Sequence, residues 1–231
     1  MEEVLDILKY FPRRSFEDSV WGYLEHHSTH LNKCIENSLF ESAFFHLHIL
    51  YMSFLYIQAV RLYETSPDKL AFSFILMEAE KEKKFIKELN DLKTPWIFSG
   101  RDLSEKKIPR FFRIAGLSDN DIGIIEEPIT FRNKRMHANG KTACENEEDF
   151  EKHCSIYLKA IELLLEKQKE ILTERYIKAV GEFDEDNEYQ IDENDIEKYL
   201  STFSEKEQNI CSQECVDPIS IYLKEKFSEN N

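Results

Sequence analysis

Turn-forming residues are scarce in this chain: 231 residues carry only 6 Gly and 6 Pro. Few positions can therefore supply a positive φ or a fixed φ, so turns are few and helices are long. Long hydrophobic runs are also absent. The most apolar stretch, around His46 to Val60, is interrupted by His46, His48, Ser53 and Gln58, which excludes a membrane-spanning helix there. A basic leader is missing too. The first residues, MEEVLDILKYF, are acidic where a secretory signal would be basic, so a cytoplasmic location with no membrane partner is expected. The 5 Cys are an odd number without a framework spacing, as reduced thiols would be. Positive charge is in deficit, with a net −15, which argues against broad nucleic-acid binding.

Charge distribution changes that reading. From Lys93 to Lys141 there are 10 basic and 6 acidic residues, a local excess of +4. From Gly181 to Asn231 there are 4 basic and 15 acidic, a deficit of −11. The middle is a basic island and the tail an acidic block. Such an island can meet an anionic substrate while the remaining surface repels polyanions in general.

Apolar periodicity predicts helices along most of the chain. A short one, with Val4, Leu5, Leu8 and Phe11 on its stripe, stops at Pro12. The next runs from Ser15 to about Asn37, with Val20, Trp21, Leu24, Leu31 and Ile35 at threes and fours. Ser38 to Glu64 is apolar on more than one face, as at the centre of a bundle or at a subunit interface. Pro67 restarts a helix and Thr94-Pro95 breaks it. Residues 95–130 are less regular, with a short basic helix over Ile108 to Ala115. Pro128 reads as the start of a further helix. Phe150 to Val180 is the next long amphipathic helix, with Ile156, Ala160, Leu163 and Leu164 facing a core. The expectation is an all-α fold, an up-and-down helical bundle over residues 1–180, with an acidic linker and short helical C-terminal appendage over 181–231.

The sequence Phe131-Arg-Asn-Lys-Arg-Met-His-Ala-Asn-Gly140 concentrates cationic groups around one imidazole. On a helix Asn133 and His137, four apart, share a face. Arg132 lies five before His137. A guanidinium holds phosphate oxygens in a fork, and an imidazole moves a proton near neutral pH. A solvated helix end is the competing reading, because Arg, Lys and His near a helix C-terminus oppose its dipole.

Arg132-Asn133, three intervening residues and His137 resemble the Arg-x4–6-His signature of the HEPN superfamily, small all-α domains often acting as endoribonucleases. The motif resemblance covers residues 132–137 and the architectural one residues 16–180. It implies a homodimer in which two motifs share one composite cleft. It also implies a metal-independent cleavage of RNA: Arg132 holds the scissile phosphate, His137 acts as general acid or base while the 2′-hydroxyl attacks, and Asn133 orients His137 or contacts phosphate. Neither metal nor cofactor is called for. Toxin and antiviral defence are roles such domains commonly fill, with an antitoxin or other regulatory protein as partner. In some members an antitoxin modifies a Tyr two residues after the His; here that position is Asn139, which puts such control in doubt. An acidic side chain from an earlier helix often supports related sites, and Glu41 is the candidate by position, with His48 as a second supporting group.

Other constellations are weaker. Lys134 and Arg135, with Lys106, Lys107, Arg110, Arg113 and Arg101, are candidate RNA-backbone contacts, and Phe111 and Phe112 are either base-stacking groups or core. His26, His30 and Cys34 lie along one helix face at a spacing that can chelate zinc, yet no fourth ligand is near; exposed polar positions are the plainer reading. His46 and His48 read as hydrogen-bonded core or interface groups. Asp184, Asp186, Glu188 and Asp195 echo a calcium loop, but Tyr189 stands where such a loop needs Gly, and an acidic linker fits better. The competing expectation for the whole chain is a catalytically silent HEPN-like module that binds RNA or protein. A third is a structural or regulatory chain whose acidic tail, 181–231, mimics nucleic acid or masks the basic island.

Overall fold

A computed structural model describes residues 2–12, 18–65, 105–135, 144–171 and 203–207. The fold is all-α, with no strand among the described residues. The expected helix after Pro67, the acidic residues 184–195, Arg101, His137, Cys211 and Cys215 lie outside them. The chain divides into two compact units. One is Met1–Leu8 with Phe16–Leu164, and the other is Lys9–Ser15 with Leu165–Asn231.

In the first unit, α1 (Glu2–Leu5) precedes α2 (Asp18–Glu36) and α3 (Phe40–Thr65). α1 is shorter than its apolar stripe suggests, and Leu5 is exposed while Val4 and Ile7 are buried. The Asn32 side-chain amide donates to the Leu5 carbonyl at 3.2 Å, satisfying one of the helix-end acceptors that α1 cannot bond itself. On α2 the buried residues are Val20, Leu24, Ser28 and Leu31, a stripe of threes and fours. The hairpin to α3 is a Schellman turn: Leu39 N–H donates to the Cys34 carbonyl at 2.8 Å and Ser38 N–H to that of Ile35 at 3.0 Å. Ser38 takes the left-handed position, φ 56°, that Gly usually fills. Because Ser38 is exposed and carries a Cβ that disfavours this conformation, Ser38→Gly is expected to stabilise the fold by about 0.5–1 kcal/mol. A rise in the urea midpoint of unfolding checks this.

α3 is the central element of its unit. Ala43, Phe44, Leu47, Leu50, Tyr51, Phe54, Leu55 and Ile57 are all fully buried, and they occupy more than one face of the helix. Each large apolar side chain so placed contributes roughly 1.5–3 kcal/mol of transfer free energy. Its polar residues His48, Ser53, Gln58 and Arg61 are buried as well.

A long 3-10 helix, Glu105–Ala115, packs against α3 and against α4 (Asp119–Arg135). Runs of this length are uncommon. Pro109 has no amide to donate within it, and the apolar spacing suits three residues per turn. Glu105, Ile108 and Phe111 fall on one ridge, Lys106, Pro109 and Phe112 on a second, and Lys107, Arg110 and Arg113 on the third. Ile108, Pro109, Phe111 and Phe112 are buried. Phe111 and Phe112 are therefore core residues with no accessible ring, and the base-stacking role considered for them does not hold.

α4 starts with a capping box: Asp121 N–H donates to Ser118 Oγ at 3.2 Å, and Ser118 N–H donates to Asp121 Oδ2 at 3.0 Å. The helix thus begins nine residues before Pro128 and passes through it, correcting the expectation that Pro128 opens a helix. Pro128 removes one helical hydrogen bond. Two tyrosine hydroxyls meet the backbone of this stretch. Tyr51 donates to the Ile125 carbonyl at 2.7 Å, and the Tyr157 hydroxyl lies 3.5 Å from that of Pro128. α5 (Glu147–Lys167) is capped by Asn146, whose Oδ1 accepts from Asp149 N–H at 2.9 Å. Its core face is Phe150, His153, Cys154, Tyr157, Ala160, Ile161 and Leu164, one position round from the expected Ile156 and Leu163.

In the second unit Ser204 and Glu207 form another capping box, and the Lys206 ammonium lies 5.4 Å from the Tyr10 ring centroid.

Candidate nucleic-acid site and histidine cluster

Arg132 and Asn133 sit in the last described turn of α4. Just before them, Phe131 packs on His153 with ring centroids 3.9 Å apart and edge-to-face on Phe44 at 5.9 Å, while the Arg135 guanidinium lies 5.1 Å from its ring centroid. This anchor fixes the rotation of the helix end. Arg132 Nη1 donates to Asn133 Oδ1 at 2.9 Å, so Asn133 orients the guanidinium. The same nitrogen lies 3.6 Å from Glu105 Oε2. Arg132 Nε is buried and has no hydrogen-bond partner among the described residues, and 30% of the side chain remains open to solvent.

Behind Arg132 lies His48, 3% exposed. Its Nε2 is 3.4 Å from Glu105 Oε2, an ion-pair distance but long for a well-formed hydrogen bond. Its Nδ1 is 2.9 Å from the Tyr157 hydroxyl. Burial holds the His48 imidazole below its ordinary pKa, with Arg132 acting the same way and Glu105 opposing. The contact with His48, aided by the charge of Arg132, lowers the Glu105 carboxyl against the effect of burial. Tyr51 and Tyr157 are pushed well up, chiefly by burial. Four elements thus converge: α3 gives His48, the 3-10 helix Glu105, α4 Arg132 and Asn133, and α5 Tyr157.

The expected residues divide accordingly. Arg132, Asn133 and His48 come together, and His137 lies outside the described residues. The carboxylate that meets Arg132 is Glu105. Glu41, the positional candidate, sits at the exposed first turn of α3, where its charge acts on the Cys144 thiol. Among the basic candidates Lys106, Arg110, Arg113 and Lys134 are exposed and Lys107 is half-buried. Arg113 is ion-paired with Asp119, and Arg135 is engaged by Phe131. Cys144 and Cys154 are free thiols pushed up to about 12, mainly by burial, which suppresses thiolate chemistry.

A second cluster lies across the α2–α3 hairpin. The His26 and His30 rings are 4.2 Å apart, those of His30 and His46 5.4 Å, and those of His27 and His46 5.1 Å. His27 Nδ1 and His46 Nδ1 approach to 2.9 Å, which requires one to donate and the other to accept. His26 and His30 share a face of α2 as anticipated, and the group that meets them there is His46 of α3, with His27 beside it. Among the described residues no three His, Cys, Asp or Glu side chains gather as a metal site requires. Burial first, then the charges of His46, His26 and His30, lowers the His27 pKa to about 4. The unfolded chain therefore binds more protons between pH 4 and 6.5, and stability falls as pH drops through that window. After solvent screening the expected loss is about 1 kcal/mol. Melting curves from pH 7 to 4.5 should show it, with a shallower slope in His27→Gln.

No known protein family, curated protein or solved structure matches this chain.

Proposed function

We propose that this chain is a metal-independent endoribonuclease of HEPN type, working as a homodimer. The observation that carries the reading is the setting of Arg132. Its guanidinium is oriented by Asn133, flanked by Glu105 and partly open to solvent, and its Nε has no partner among the described residues. A planar cation held this way suits a phosphodiester better than a lone lysine would. In the proposed reaction Arg132 offsets charge that develops on the phosphoryl oxygens. His137 moves the proton of the attacking 2′-hydroxyl or of the leaving 5′-oxygen. The strand breaks to a 2′,3′-cyclic phosphate and a 5′-hydroxyl. RNA supplies its own nucleophile, so no metal is required. Lys106, Arg110 and Lys134 are the exposed cations proposed to follow the backbone. A toxin or antiviral defence role, with a regulatory partner, extends the same proposal.

The test is incubation of purified protein with RNA in EDTA, beside Arg132→Ala and His137→Ala. Cleavage by the unaltered chain alone, leaving cyclic phosphate ends, supports the reading. Equal cleavage by all three sinks it. RNA binding without cleavage favours the silent module.

A further inference from the structure

We propose that an anion binding at Arg132 is taken up together with a proton, which the His48–Glu105 pair receives. The inference deepens the reading above and rests on it only in taking Arg132 as the group that meets phosphate.

At rest one carboxylate serves two neighbours. Glu105 Oε2 lies 3.6 Å from Arg132 Nη1 and 3.4 Å from His48 Nε2. Arg132 and Glu105 balance each other, and His48, buried beside a guanidinium, is neutral. A phosphodiester on Arg132 brings a second negative charge to the carboxylate's side of the cluster. Arg132 can no longer neutralise both anions. Among the described residues, the remaining basic group in contact with Glu105 is His48. The added charge favours protonation of both members of the pair, and they take up the proton as one coupled unit.

The surroundings accommodate either state. In neutral His48 with hydrogen on Nε2, facing Glu105, the Tyr157 hydroxyl donates to Nδ1 across 2.9 Å. In the imidazolium both ring nitrogens carry hydrogen. Tyr157 then accepts from Nδ1 and turns its own hydrogen toward the Pro128 carbonyl, 3.5 Å away. One hydroxyl rotation supplies an acceptor for the new donor, so the added Nδ1–H is not stranded. The other titratable groups acting here are two tyrosines and two thiols: Tyr51, Cys144 and Cys154 interact with Tyr157, and Tyr56 with Glu105. None exchanges a proton in the neutral range, because burial raises all four.

The probe is a short oligothymidylate, whose diesters do not titrate near neutrality and which lacks the 2′-hydroxyl needed for cleavage. Calorimetry at pH 7 in two buffers of different ionisation enthalpy counts the protons taken up, and titrations from pH 8 to 6 give the affinity. The full-length chain is expected to take up close to one proton per site, with affinity rising up to about tenfold per pH unit lowered. Glu105→Gln and His48→Gln should each bind with uptake near zero. Tyr157→Phe should reduce uptake, because Nδ1–H then lacks its acceptor. Uptake of zero in the unaltered chain, undiminished uptake in Glu105→Gln, or loss of uptake in His137→Ala alone overturns the proposal. So does an absence of binding at millimolar probe. Because the probe cannot be cleaved, proton uptake in a chain that leaves RNA intact would sink the nuclease reading and keep this one.

Discussion

Replacing Arg132 by Ala is expected to lower RNA cleavage by at least 10²–10³-fold, the loss typical when one preorganised charge-stabilising donor is removed. The fold should survive, since the side chain is partly exposed and its partners are Asn133 and Glu105. The Glu105 side chain is itself 31% exposed, so water still reaches its charge. Arg132→Lys separates charge from geometry. An ammonium restores the positive charge without the planar fork, and Asn133 has no guanidinium edge to align. An intermediate rate is expected. Initial rates in EDTA, with melting temperatures matched to the unaltered chain, provide the measurement. Wild-type rates in Arg132→Ala would remove Arg132 from the reaction and with it the proposed function.

Phe44→Ala should be the most damaging single change in the described core, at about 3–5 kcal/mol. Phe44 is fully buried and meets Phe131 on α4 and both His153 and Tyr157 on α5 edge-to-face, at 5.5–5.9 Å between centroids. Truncation removes the ring's burial and leaves a cavity where three helices meet. Of a typical stability of about 5–15 kcal/mol, that is a large share. Urea unfolding should show a lower midpoint with an unchanged slope. A midpoint shift below a quarter of that expected would mean that the three helices close over the gap.

Much of the architecture can be read from the residues, because it follows from local rules. Scarce Gly and Pro imply helices, and the all-sided apolar character of Phe40 to Leu62 implies a central one. Local rules also explain the errors. Pro128 suits a first helical turn, yet the Ser118–Asp121 box sets the start earlier, and a proline is tolerated inside a helix when side chains meet the nearby backbone. Glu105 is hidden because a 3.6-residue period turns it about 120° away from Phe111, whereas a three-residue period sets Glu105, Ile108 and Phe111 on one ridge. The pairing of His27 with His46, and of His48 with Tyr157, joins residues 19 and 109 positions apart, and no local pattern encodes such meetings.

The three-ridge segment Glu105–Ala115 acts as a phase-locked rod. Each added or removed residue turns what precedes it by about 120°. A single deletion between Glu105 and Ile108 would swing the carboxylate away from His48 and Arg132 while the Phe pair stayed seated in the core. Length here is therefore as constrained as identity, and only a change of three residues returns Glu105 to its bearing.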